Sequence, residues 1–135
     1  MSEPRPVVGV GVVVVDGGRI LLAQRGKDPG RGKWAVPGGT VRYGETIRDA
    51  ARREMLEETG LTVEVGDVCW VGESIGHGPD PAWHFCIVDF YARVIEGVPA
   101  AGDDAADLRW VDERQARALD LVPTMPSLLD IVFAA

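Results

Sequence analysis

The segment from Thr46 to Gly60 constrains this chain more than any other, because it obeys the rules for starting and stopping a helix and then breaks the rules for what a helix carries. Thr46 is a good N-cap residue, Asp49 stands three positions on as an aspartate variant of the capping box, and Gly60 sits where a left-handed C-terminal stop belongs. Within the predicted helix, Ile47, Ala50 and Ala51 form an apolar stripe, and Glu54 and Glu58 continue it at helical spacing. Glu57 lies three residues from Glu54, so three carboxylates share one side. A like-charged pair at that spacing costs about 0.2–0.5 kcal/mol, and each anion at the negative end of the helix dipole costs about 0.3–1 kcal/mol. Carboxylates turned toward the protein or a cleft need a multivalent cation to balance them, and hard ions such as Mg²⁺ bind carboxylate oxygens in that way. The competing reading is a solvated charged face, stapled by the pairs Asp49–Arg53 and Arg53–Glu57, each four residues apart.

The flanking sequence supplies strands. Val7 to Val15 is a valine-rich run interrupted by Gly9 and Gly11, Asp16-Gly17-Gly18 is a hairpin-type turn, and Arg19 to Arg25 reads as the partner strand. Gly26 to Lys33 is a glycine-rich charged loop, and a short strand, Trp34 to Val36, runs into a sharp backbone feature at Pro37-Gly38-Gly39. Downstream, Leu61 to Val65, Val68 to Ile75 and Trp83 to Val94 read as strands, Glu96 to Asp107 as a flexible acidic loop, and Leu108 to Val111 as a short strand. Glu113 to Leu119 and Ser127 to Phe133 are predicted helices. Mixed strands, one long central helix and helices at the C-terminus predict an α/β sandwich with a mixed sheet.

The bulk properties narrow the function classes. At 135 residues the chain fits one domain spanning 1–135. The longest apolar run is too short to cross a bilayer as a helix, the N-terminus lacks the pattern of a signal peptide, and two cysteines make no disulfide framework. The expectation is a cytoplasmic protein with no membrane partner. A net charge of −7 argues against a nucleic-acid polymer as partner, but not against a small anionic substrate, because metal ions can stand between two sets of negative charge.

Upstream of the helix the pattern extends: Gly39, five residues, Glu45, seven residues, then Arg53-Glu54-Met55-Leu56-Glu57-Glu58-Thr59-Gly60-Leu61. This resembles the Nudix box, G-x5-E-x7-R-E-U-x-E-E-x-G-U with U aliphatic. Every fixed position matches, and Met55 at an aliphatic position is a mild departure that is conservative in packing terms. The resemblance covers Gly39 to Leu61 and implies a Nudix-type α/β/α sandwich with a mixed β-sheet and a central loop–helix–loop. It implies a pyrophosphohydrolase acting on a small nucleotide substrate with Mg²⁺, or Mn²⁺ in its place. Carried over position by position, Glu54, Glu57 and Glu58 are implied metal ligands and the Gly39 carbonyl a backbone ligand. Glu45 becomes an outer-shell partner and Arg53 the residue that orients the carboxylates. Pro37, Gly38 and Gly39 would let the backbone reach the ion without a side-chain clash. Glu57 or Glu58 could act as general base, as could Asp103 or Asp104, for which a solvated acidic loop is the plainer reading.

Cationic residues near the box, namely Arg25, Arg31, Lys33 and Arg42, are candidate phosphate contacts, with Arg25 preferred because its strand is expected beside the box. Trp34, Trp70, Trp83 and Trp110 read as core residues; one of them, or Tyr43 or Phe85, could stack on a base. His84 and Cys86 share a strand face with Val88 and Phe90, which predicts a core role rather than zinc, while His77 in the Gly76–Pro81 loop is a candidate substrate contact. The segments around Trp34 and Trp110 are similar to those of small ADP-ribose pyrophosphatases and equally of MutT-like enzymes that clear unwanted nucleoside triphosphates. Gly76 stands where the ADP-ribose enzymes carry a proline, and the nearest, Pro79, comes three residues late. A non-catalytic Nudix-fold binding module is the alternative of a different class; such modules usually lose box glutamates. Homodimers are common in the family, which makes a second copy of the chain a candidate partner.

Overall fold

The N-terminal valine run ends sooner than its composition suggests. The computed structural model describes residues 4–76, 83–102 and 105–134. In it β1 covers Val7–Val13, and Val15–Asp16 already form β2. Gly17 and Gly18, both at positive φ (59° and 77°), turn the chain back so that β2 pairs with β3 (Arg19–Arg25). Two successive left-handed residues are what a tight hairpin turn requires, and glycine adopts them without a Cβ clash. The short strands β4 (Trp34–Ala35) and β5 (Gly38–Thr40) follow, then helix α1 (Ile47–Thr59), β6 (Thr62–Ile75), β7 (His84–Glu96), β8 (Ala105–Val111), α2 (Glu113–Arg117) and α3 (Met125–Val132).

Two sheets form. In the first, ordered β5–β1–β7–β6, β1 is parallel to β7 and antiparallel to β5, and β7 is antiparallel to β6. In the second, β2, β4 and β8 all pair antiparallel with β3. Alternation along the strands sends side chains to two cores. Val10, Val12, Val14, Leu21, Val63 and Phe90 pack with Ala50, Ala51 and Met55 of α1. Val13, Ile20, Leu22, Trp34 and Val111 pack with Ala116, Met125, Leu128 and Leu129 from the C-terminal helices. The result is the expected α/β/α sandwich with a mixed sheet. Among the described residues, no helix is long and apolar enough to cross a membrane.

Several boundaries differ from expectation for identifiable reasons. The two strands predicted over Leu61–Val65 and Val68–Ile75 are one strand, β6, whose register against β7 shifts between Val65 and Val68. A bulge at Gly66 and Asp67 takes up one extra residue, so a local polar break does not end the strand. β8 begins at Ala105, so the end of the predicted acidic loop belongs to a strand paired with β3. α2 stops at Arg117, and α3 starts at Met125 with Pro126 in its first turn. The predicted core role of His84 and Cys86 does not hold. Cys86 is exposed and His84 half-buried, because α1 covers this face only as far as Val88 and Phe90.

The α1 caps form largely as read. Thr46 Oγ1 accepts from the Asp49 N–H at 3.1 Å, and Gly60, at φ 76°, donates to the Leu56 carbonyl at 2.9 Å. The reciprocal half of the capping box is missing: the Asp49 carboxylate takes Arg52 Nη2 at 2.7 Å instead. The predicted Asp49–Arg53 pair is therefore absent, since Arg53 turns toward other acids. At the far end, Ala100 N donates to the Thr59 carbonyl (2.9 Å) and Gly102 N to the Glu58 carbonyl (2.8 Å), which satisfies carbonyls that a helix end leaves open.

Candidate active site

The site is built where β5 meets the last turns of α1. β5 pairs with β1 through Gly9–Thr40, Val10–Gly39 and Gly11–Gly38. A Cβ at Gly38 would overlap the Val10 carbonyl, and one at Gly39 would overlap the Glu54 carboxylate. Both glycines are required by close approach rather than by a left-handed backbone. The Gly38 N–H donates to Glu58 Oε2 at 2.8 Å, so strand and helix are joined by an acid of the box itself.

Arg53 organises the rest. Its Nε donates to Glu45 Oε2 (2.8 Å), and Nη2 donates to Glu45 Oε1 (2.9 Å) and the Thr40 carbonyl (3.0 Å). Its Nη1 donates to Glu54 Oε1 (2.7 Å) and Glu57 Oε2 (3.2 Å). A guanidinium has five N–H donors in a fixed fork, and here each has an acceptor. The bidentate grip on Glu45 sets the fork, and the fork sets Glu54 and Glu57. Arg53, Glu45 and Glu54 side chains are only 16–17% exposed, whereas Glu57 is 52% exposed. Charge-assisted bonds at this depth are stronger than surface pairs.

The Arg53 hydrogen bonds pull the Glu45 carboxyl down to about 2, and the surrounding carboxylates raise the Arg53 guanidinium further above its already high value. Glu45 is therefore ionised throughout the physiological range. Where β5 meets α1, the Glu54 carboxylate lies against Gly39, Glu58 accepts the Gly38 N–H, and Glu57 shares Arg53 Nη1 with Glu54. An all-oxygen set with more negative charge than Arg53 neutralises fits a hard divalent cation such as Mg²⁺.

Comparison with known proteins identifies the family. The family model for the NUDIX domain matches residues 5–130. The chain belongs to the Nudix hydrolase family. It is 38% identical over 107 residues to an ADP-ribose pyrophosphatase of Methanocaldococcus jannaschii, covering 79% of this chain and 62% of that protein. It is 42% identical over 105 residues to an oxidized purine nucleoside triphosphate hydrolase of Danio rerio, covering 75% and 63%. The match thus spans less than two thirds of the length of those two relatives. Among solved structures, a MutT NUDIX hydrolase from Burkholderia pseudomallei superposes with a TM-score of 0.83 at 28% identity, covering 95% of this chain and 98% of that one.

Around this Nudix box the other candidates are distributed unevenly. Arg42 lies at the cluster: its backbone N–H donates to Glu45 Oε1 (3.1 Å) and its exposed guanidinium is 3.8 Å from Glu57 Oε1. Arg25 ends β3 in the second sheet, whereas β5 belongs to the first, and its Nε donates to the Pro29 carbonyl at 2.6 Å, closing the 26–33 loop. Lys33 pairs with Asp120 Oδ1 at 3.1 Å, and Arg31 is exposed. Asp103, Asp104 and His77 lie outside the described residues; Gly102, the neighbour of Asp103, is tied to the end of α1. Trp34 is buried beneath Arg109, and Trp70 and Trp110 pack against the cores. Trp83 Nε1 donates to Ser74 Oγ (3.2 Å), Phe85 is half-buried and Tyr43 fully exposed.

Sequence reasoning missed Asp89. It pairs in register with Gly11 on β1, is 4% exposed, and fills the space that a Cβ on Gly11 would need. Among the described residues no cation faces it, and burial pushes its carboxyl up to about 7. The available signal was an aspartate within a strand of β-branched and aromatic residues, opposite a strand glycine.

Proposed function

We propose that this chain hydrolyses the pyrophosphate bond of a nucleoside diphosphate linked to another group, using a divalent cation held by Glu54, Glu57, Glu58 and the Gly39 carbonyl. The observation that carries this reading is the set of three box carboxylates at the β5–α1 junction: Glu54 in the space a Cβ on Gly39 would need, Glu58 on the Gly38 N–H, and Glu57 sharing Arg53 Nη1 with Glu54. A cation bound there would lower the pKa of water and neutralise phosphate oxygens. The chain's own residues do the rest. Arg53 and Glu45 hold the ligand geometry, and the exposed Glu57 and Arg42 face the solvent side where a phosphate chain would approach. Glu57, Glu58 or an acid of the 103–104 segment serves as base.

The substrate follows from two considerations. The names of the relatives include both an ADP-ribose pyrophosphatase and an oxidized purine nucleoside triphosphate hydrolase. Gly76 in place of the ADP-ribose enzymes' proline favours a nucleoside triphosphate. A substrate panel containing ADP-ribose, nucleotide sugars, dinucleoside polyphosphates, and normal and oxidised nucleoside triphosphates, assayed in Mg²⁺ with and without chelator, tests this. A monophosphate plus pyrophosphate from a triphosphate supports the reading, whereas AMP from ADP-ribose reverses the substrate assignment. No chelator-sensitive turnover, together with nucleotide binding, would make the chain a binding module.

A further inference from the structure

Glu73, His84 and Cys86 form a second cluster of metal-binding donors, on the exposed end of the β6–β7 pair. His84 and Cys86 are two residues apart on β7 and so share a face, and Glu73 is the register partner of Cys86 on β6. One ligand atom from each lies within 4.8 Å of the other two, and His84 Nε2 is 3.0 Å from Glu73 Oε2. The three project from the face that α1 covers further along the strands. At this end the face is open: the His84 and Glu73 side chains are 35% and 60% exposed, and Cys86 is exposed. None of them belongs to the Arg53 network or to the Nudix box.

From this juxtaposition we propose that Glu73, His84 and Cys86 bind a thiophilic divalent cation of the Zn²⁺ type, with solvent completing the coordination. Sulfur, imidazole nitrogen and carboxylate oxygen together select a borderline ion over Mg²⁺, the reverse of the oxygen-only set at Gly39. The backbone ladder already holds the two strands in register, so little chain ordering accompanies binding. The Cys86 thiol proton is released to solvent as the thiolate coordinates. Occupancy ties β6 to β7 beside Ile75–His84, the last register pair before the segment joining the strands. This proposal is independent of the hydrolase reading.

The test uses the full chain, reduced, stripped of metal and then saturated with Mg²⁺ so that the box carboxylates are engaged. Co²⁺ titration should produce thiolate-to-cobalt charge-transfer absorption at one equivalent, and Zn²⁺ should displace it. Cys86→Ser should abolish the band, and His84→Ala should weaken Zn²⁺ binding by at least about tenfold, with far-ultraviolet circular dichroism unchanged since Cys86 is exposed, His84 is half-buried and neither belongs to the packed cores. Cys69→Ser should leave the band intact. Absence of the band in the parent chain, or its survival in Cys86→Ser, overturns the proposal.

Discussion

On the α1 side of the β5–β1–β7–β6 sheet, Glu45 sits in the fork of Arg53, and its carboxyl is held down to about 2. On the opposite side of the same sheet, Asp89 is enclosed beside Gly11 with no cation facing it among the described residues, and its carboxyl is pushed up to about 7. A guanidinium with complementary geometry stabilises the charged form, while burial without a partner favours the neutral one. Arg53 is shared by Glu45 with Glu54 and Glu57 of α1, and its bonds hold the Glu45 carboxyl low, whereas burial raises that of Asp89, which faces no cation among the described residues. Residue type alone does not decide which acid is available to a metal.

Four measurements test that contrast. The largest effect is expected for Glu57→Gln, which removes a proposed hard-cation ligand: turnover should fall by roughly two orders of magnitude or more while circular dichroism stays unchanged. A near-normal rate would remove Glu57 from the metal site. Next is Arg53→Lys. An ammonium cannot reproduce five bonds in a planar fork, so metal affinity read by Mg²⁺ titration of activity should drop about 10–100-fold. Full retention would mean that charge, rather than geometry, organises the glutamates.

The third measurement concerns pH. The Asp89 carboxyl is raised from 3.8 to about 7, so the folded chain holds that proton more tightly than the unfolded one. Its destabilising effect is absent below about pH 4, grows as pH rises toward 7, and is constant above. Asp89→Asn should therefore stabilise the protein at pH 8 by about 2 kcal/mol, the buried amide offsetting part of the gain, and should give no gain at pH 4. Denaturant midpoints at the two pH values decide it; an equal shift at both would show that Asp89 is not raised. Glu45 has the opposite sign: its contribution is present above its ordinary 4.5 and is lost as pH falls toward 2. The smallest effect is expected for Thr46→Ala, which removes the α1 cap at a cost of about 1 kcal/mol and should leave the rate unchanged. A large rate loss there would show that the helix start, not only its end, positions the acids.

Much of the box was legible because its information is local. Helix phase, the Thr46 cap and the Gly60 stop depend on residues within a few positions of one another, and so does the placing of Glu54, Glu57 and Glu58 on one side. Phosphate-contact candidates were less legible. Arg42 lies five residues before the start of α1 and falls beside Glu57, whereas Arg25 and Lys33 are captured by Pro29 and Asp120. The sequence preferred Arg25 because its strand was expected beside the box; the partners each cation finds separated the candidates instead.

The α1 helix, its caps, the alternation of the strands and the acid pattern that ends in Gly60 are all written in the chain's local order, because hydrophobic period and capping chemistry act over single turns. Only the tertiary structure decided that Arg53 abandons Asp49 for Glu45, since Glu45 reaches it through the fold of the 40–46 loop. Only the tertiary structure buried Asp89 against a glycine seventy-eight residues earlier in the chain, through the parallel β1–β7 pairing. It also left His84 and Cys86 uncovered, where alternation had placed them in a core, because a strand face is buried only as far as the helix above it extends.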